Sequence, residues 1–306
     1  MQVKGIYCLM RSMRPVDVGA SRLPFLGGMS IRANWKDLEP QEGKTELSYL
    51  DDAFAETTKA AKNAMLRVLP GRHSPDWLKD KSVRFVEFTD VNKYHVTYGK
   101  RIKTPLPWDE AYISAWVKFV GQLGKKYNQQ RELVLVHMAG PTWHSAEMHL
   151  PRFSRECRTV LAKAGYSKES LVDAWKKTID AFGAAFPDKA LALNLAVPFK
   201  EDGALEEIVQ YARSRLGKRL CAQDNQLSDH HENSVTYKLV QTLGKQGVNI
   251  GFQMLDSTKE RPGRQGSLRL SLEQGLAAGA QYFEIYQADL LEPQNRDLLE
   301  EVNRRL

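Results

Sequence analysis

Eight short apolar runs, six of them followed by a stretch of helical periodicity, restrict this chain more than any other feature. The runs fall at 4–9, 29–34, 64–69, 133–138, 190–196, 220–224, 249–255 and 282–287. Between them, apolar residues recur at helical spacing over 50–62, 108–126, 168–186, 204–216, 234–245 and 270–278. Strands that alternate with helices form a parallel sheet covered by those helices. Eight such runs in 306 residues predict an α/β fold, a closed (β/α)8 TIM barrel occupying 1–306 as one unit. No Gly-x-Gly-x-x-Gly turn follows the first run, which disfavours an open dinucleotide-binding sheet. Residues 71–107 read as irregular and, lying after the third strand, are expected to wall one side of a cleft at the barrel mouth.

Composition narrows the function classes. A hydrophobic content of 42% with 26% charged residues is that of a globular chain. No apolar run is long enough to span a membrane, so no membrane partner is expected. The N-terminus MQVKGIYCLM reads as a strand and not a leader. The chain is therefore expected to be cytoplasmic, or secreted with its leader absent from this sequence. Cys8, Cys157 and Cys221 have no metal or disulfide spacing, and Cys8 and Cys221 read as buried thiols. The net charge of +7 is spread over helix faces and not gathered in a stripe, which argues against a nucleic-acid partner. No Gly-x-Ser-x-Gly elbow is present, and no cofactor or metal is expected. His230 and His231 read as members of a solvated loop.

Strand residues alternate between the helices and the barrel axis. Met29, Ile31 and Ala33 take the outer phase of the second strand and leave Ser30, Arg32 and Asn34 inward. Asn194, Gln253, Tyr282, Glu284 and Tyr286 point inward from later strands. His137 reads as a hydrogen-bonded core histidine. A buried guanidinium or carboxylate must be paired or functional. Glu284 is expected to contact Arg32, a tyrosine or an amide of the inward set, near the strand ends where barrel active sites form.

The segment LVLVHMAGPTWHSAEMHLP, 133–151, carries the densest chemistry. A strand ends in a Gly-Pro turn, then come Trp143, His144, Glu147 and His149. An indole face suits a pyranose, and a carboxyl group among apolar neighbours suits proton donation through a raised pKa. Glu147 is the leading candidate for a catalytic general acid/base.

Two motif groups carry a family resemblance. GGMSIRANWKDLEPQEGKTELSYLDDAF resembles the second strand and loop of barrel β-galactosidases, with Arg32, Trp35, Glu39, Pro40, Gly43 and Asp51 at the matching places. PGRHSPDWL at 70–78 is similar to the end of their third strand. The resemblance implies that Arg32 supports a catalytic carboxylate and that His73 and Trp77 line a sugar pocket. The Asn-Glu pair of those enzymes is missing after the fourth strand. GPTWHSAEMHLP instead resembles the segment that supplies the general acid of β-amylases, and VNIGFQMLDS their seventh-strand segment. Gln253 stands where those enzymes carry a glutamate base. It either orients substrate or water, or replaces a former glutamate.

Glycoside hydrolysis normally needs two carboxyl groups. The second is expected at Glu284, as nucleophile or base, with Asp224 next and Asp256 as a solvated loop residue behind it; an absent second carboxylate also stays open. The expected substrate-binding set is Arg32, Asn34, Trp35, His73, Trp77, Trp143, His144, Asn194, Asp224, Gln253 and Tyr286. The leading expectation is a glycosidase acting on an oligo- or polysaccharide. The alternative is a barrel that binds carbohydrate without cleaving it.

Overall fold

Ten strands are present among the described residues, and eight of them run parallel around a closed ring. They are β1 (Gly5–Leu9), β2 (Leu26–Asn34), β3 (Asn63–Leu69), β4 (Phe85–Thr89), β5 (Arg101–Pro105), β6 (Leu133–His137), β7 (Ala190–Leu195), β8 (Leu220–Leu227), β9 (Asn249–Met254) and β10 (Tyr282–Tyr286). The computed structural model describes residues 3–151, 154–199 and 203–306. The ring order is β1-β10-β9-β8-β7-β6-β3-β2, and β4 and β5 pair antiparallel outside it. The expected (β/α)8 barrel is therefore what forms, and each expected strand lies within three residues of an observed one.

The alternation reads through to two separate apolar clusters. Val3, Tyr7, Met65, Leu135, Ala190, Ala192, Cys221 and Tyr282 fill the floor of the barrel. Ile6, Met29, Ile31, Ala33, Leu191, Leu193, Phe252, Phe283 and Ile285 belong to the larger cluster under the helices. A side chain on one face of a strand cannot reach the other, so the barrel wall divides the core in two. The helices Glu110–Tyr127 and Lys168–Ala185 start where Asp109 and Ser167 accept backbone N–H bonds from Tyr112 and Ser170. They pack closely because Gly124 lies against Ala185, where any Cβ would collide with its backbone.

Several elements escaped the sequence reading. The β4–β5 hairpin replaces the irregular wall expected at 71–107. A helix forms at Arg155–Lys163, and another at Arg296–Arg305 buries Leu298, Leu299 and Val302. Among the described residues, no helix is long and apolar enough to cross a membrane.

Gly251 permits the closest approach inside the barrel. A Cβ there would collide with the Tyr282 ring, which is fully buried and held by a 2.8 Å hydrogen bond from its hydroxyl to Gln223 Oε1. The ring has no room to swing away. Gly251→Ala is expected to cost about 1–3 kcal/mol, read as a lower denaturation midpoint. An unchanged midpoint would contradict this account of the barrel floor.

Candidate active site

Above the apolar floor, the inward phase turns polar. Ser30, Arg67, His137, Asn194, Gln223, Gln253 and Glu284 form a belt inside the ring, and each is less than a tenth exposed. Its centre is an ion pair between Arg67 Nη2 and Glu284 Oε2 at 2.6 Å. Arg67 Nη1 donates to Gln253 Oε1 at 2.6 Å, and Nη2 sits 3.2 Å from His137 Nδ1. The Ser30 hydroxyl and the Gln223 amide also donate to Glu284. Burial by itself would raise the Glu284 pKa. The charge of Arg67, His137 and the Ser30 hydroxyl outweigh it and hold the carboxyl well below the usual carboxylate range. Burial, with Arg67 beside it, lowers the pKa of His137. His137 is thus the hydrogen-bonded core histidine expected, 3.1 Å from Asn194 Oδ1.

The expected amide contact is present at Gln223, but Arg32 is not the charged partner. The partner of Glu284 is Arg67, one strand further round than Arg32. That pairing also leaves Glu284 poorly suited to act as a second catalytic carboxylate, because both its oxygens are engaged and its side chain has no exposed surface. The sequence did hold the signal for Arg67, which shares the inward phase with Met65.

A second polar level lies at the C-terminal mouth, where Arg32, Glu147 and Tyr286 come within electrostatic range of one another. The Arg32 side chain has no hydrogen-bond or ion-pair partner among the described residues, and its buried Nε lacks an acceptor. Burial and the neighbouring Arg67 lower its pKa. Glu147 stands in the loop after β6, half-buried, beside His149, Ser145 and Arg67. Burial pushes its pKa up, but the His149 charge, the Ser145 hydroxyl and Arg67 together bring it below the ordinary value. The expected raised pKa is therefore corrected to a lowered one, and Glu147 is ionised at neutral pH. Burial raises the Tyr286 pKa, so its phenol keeps its proton.

Several sequence candidates lie elsewhere. Trp35 is fully buried between helix and barrel, 5.0 Å from Trp116 and 5.7 Å from Phe119 by ring centroids. Trp77 packs edge-on against it at 5.9 Å and donates to the Glu39 carbonyl at 3.0 Å. Trp143 is 1% exposed, covered by Phe88, His95 and a stacked His144 at 4.0 Å, and offers no open face. Trp35 and Trp143 are packing groups, whereas Trp77 keeps part of its surface exposed. His73 is half-buried next to Arg72, and burial followed by that charge brings its pKa to about 3. Asn34 donates to Asp37 at 2.7 Å. Asp224 has the outer strand phase, between Gln223 and Asn225, and pairs with His231 Nε2 at 2.7 Å, so it faces away from the axis. His231 is thus a half-buried partner of Asp224, whereas His230 is exposed as a loop residue should be. Asp256 is no solvated residue either, since Arg264 and Arg261 hold it at 2.8 and 3.2 Å.

A parallel barrel whose C-terminal mouth holds an ionised glutamate, a protonated tyrosine and an arginine without a partner among the described residues has groups of the kind a (β/α)8 glycosidase, a hydrolase of glycosidic bonds in carbohydrate, would use. The model of glycoside hydrolase family 42, described as β-galactosidase, matches residues 25–182, and the chain belongs to that family. Comparison with curated proteins finds no match. Among solved structures, the barrel is similar to the β-amylase catalytic domain of Paenibacillus polymyxa, with TM-score 0.61 and 10% identity over 97% of this chain and 95% of that one. It is also similar to a β-galactosidase of the psychrophilic Marinomonas ef1, with TM-score 0.61 and 8% identity over 98% of this chain but 59% of that one. A third structure, described as a glycoside hydrolase, has TM-score 0.58 and 12% identity over 99% of both chains. At these identities the likeness shows the fold.

Glu284→Gln removes the charge opposite Arg67 and leaves a buried guanidinium uncompensated. The expected cost is about 3–5 kcal/mol of stability, measured by denaturant unfolding at neutral pH. Because the folded carboxyl is depressed below 4.5, its contribution is complete above that pH and is lost as pH falls through the folded value. The wild type is therefore expected to lose stability below about pH 4.5 more steeply than the variant. Parallel acid curves would contradict the ion-pair account.

Proposed function

We propose that this protein hydrolyses the glycosidic bond of an oligo- or polysaccharide at the barrel mouth, with Glu147 as the reacting carboxylate. One observation carries the reading. Of the four acids singled out in the sequence, Glu284 and Asp256 are held by arginines and Asp224 lies 2.7 Å from His231 Nε2, whereas Glu147 has no ion pair among the described residues. An ionised Glu147 fits the nucleophile or base of the reaction and stabilises an oxocarbenium-like sugar by its charge. This departs from the general-acid role that a raised pKa would have supported. Arg32, with an unused Nε, is available to a sugar hydroxyl or to the carboxylate itself. The protonated Tyr286 offers a hydrogen bond to the same sugar. The family description makes a β-galactoside the first substrate to try, and the β-amylase likeness makes an α-glucan the second.

Glu147→Gln keeps the shape and removes the charge. Turnover of 4-nitrophenyl β-galactoside or of an α-glucan is expected to fall about a thousandfold, with an unchanged melting temperature. A Glu147→Gln protein as active as the wild type would end this assignment. The lowered pKa also fixes the acid limb of the profile. Activity is expected to persist down to about pH 4.3, the usual glutamate value, and to fall only below it. A basic limb in which kcat/KM falls as pH rises toward neutrality, with no acid limb near pH 4, would restore the general-acid role. Binding of glycans without hydrolysis of any in a broad panel would favour the carbohydrate-binding alternative.

A further inference from the structure

The tip of the β4–β5 hairpin crosses the barrel mouth. The hairpin leaves from β3, and its tip touches residues that follow β9. Around the closed ring, β3 and β9 are four strands apart in either direction, so they stand opposite each other. A segment that joins their loops must bridge the full diameter of the mouth.

The tip is stiff in itself. Asp90, 2% exposed, accepts from the Thr97 hydroxyl at 2.6 Å and the Asn92 N–H at 3.0 Å, and pairs with His95 Nδ1 at 3.0 Å. Arg72, at the foot, donates to Thr97 at 2.8 Å. Midway, the His95 ring lies 4.8 Å from His144 and 5.4 Å from Trp143, on the loop that carries Glu147. The far end is held differently. The Arg264 guanidinium sits 4.3 Å from the Tyr94 ring centroid, and Arg261 donates to the Tyr94 carbonyl at 3.4 Å. A cation–π contact on a ring 39% exposed, with one long hydrogen bond, is the weakest of the three attachments.

We propose that this tip is a strap that admits substrate by swinging about its Arg72 foot, and that Tyr94 and Arg264 form the latch deciding which glycans reach Glu147. The part concerning glycans rests on the reading of Glu147 as the reacting group; the swinging strap does not. A rigid tip with one firm and one weak end opens as a unit and exposes the surface beneath it. A chain too broad for the closed mouth then enters only when the latch releases.

Opening is measurable without a substrate. Diethyl pyrocarbonate acylates neutral imidazole, and His144 is kept neutral by burial and by its neighbours His95 and His149. Labelling of His144, followed by peptide mass spectrometry, is expected to run about fivefold faster in Tyr94→Ala than in the wild type. Tyr94→Phe keeps the ring and is expected to label as the wild type does. Equal rates in all three proteins would overturn the strap. So would a parallel rise at His137, sealed inside the barrel, because the substitution would then be loosening the whole fold. Hydrolysis of 4-nitrophenyl β-galactoside and of an α-glucan is scored separately on the same proteins. If neither is turned over while the His144 pattern holds, the strap stands and the Glu147 reading falls.

Discussion

The ion pair between Arg67 and Glu284 is the interaction on which the inside of this barrel depends. Taking either charge out of water is costly, and their mutual attraction repays it only when the remaining hydrogen-bonding positions are filled. Ser30, Gln223, Gln253 and His137 fill them from four further strands. The pair thus couples β3 to β10 across the ring and fixes the facing of the side chains between them. It also reaches upward, since the charge of Arg67 acts on both Arg32 and Glu147. The low pKa of Glu147 is partly a property of the belt below it.

Much of the architecture was legible because periodicity reports which face of an element is buried. Strand positions, barrel closure and the inward phase of Asn194, Gln253, Glu284 and Tyr286 all follow from that one rule. The rule is weak where apolar residues occupy both phases. In β8, Leu220, Cys221 and Ala222 give no alternation, so nothing in the pattern marks Asp224 as outward, and it stands among the candidates although Gln223 and Asn225 hold the inward phase. Arg67 was passed over for a related reason, as a lone charge in the apolar run NAMLRVL. The β4–β5 hairpin was not legible because each strand has five residues and the partner lies beyond a long connection.

The aromatic candidates failed in a more instructive way. An indole near a catalytic segment is attractive as a sugar platform, but the same ring is the largest apolar group available for packing. Trp35 and Trp143 spend their faces on neighbouring rings. Motif position alone does not separate the two uses, because both place a large flat side chain close to the strand end. The charged residues at the mouth were more informative, since a buried charge without a partner has no packing explanation.

The strap also has a place in the order of folding. Arg261 and Tyr94 are separated by 167 residues, and they meet only when the ring has brought β9 opposite β3. Contacts of such separation pay their loop-closure entropy late, after the more local strand pairings have formed. A nascent chain that has not yet completed its seventh barrel strand therefore carries the Glu147 loop without its cover. The roof over the mouth is in this sense a late piece of the site, formed only once the ring has reached β9.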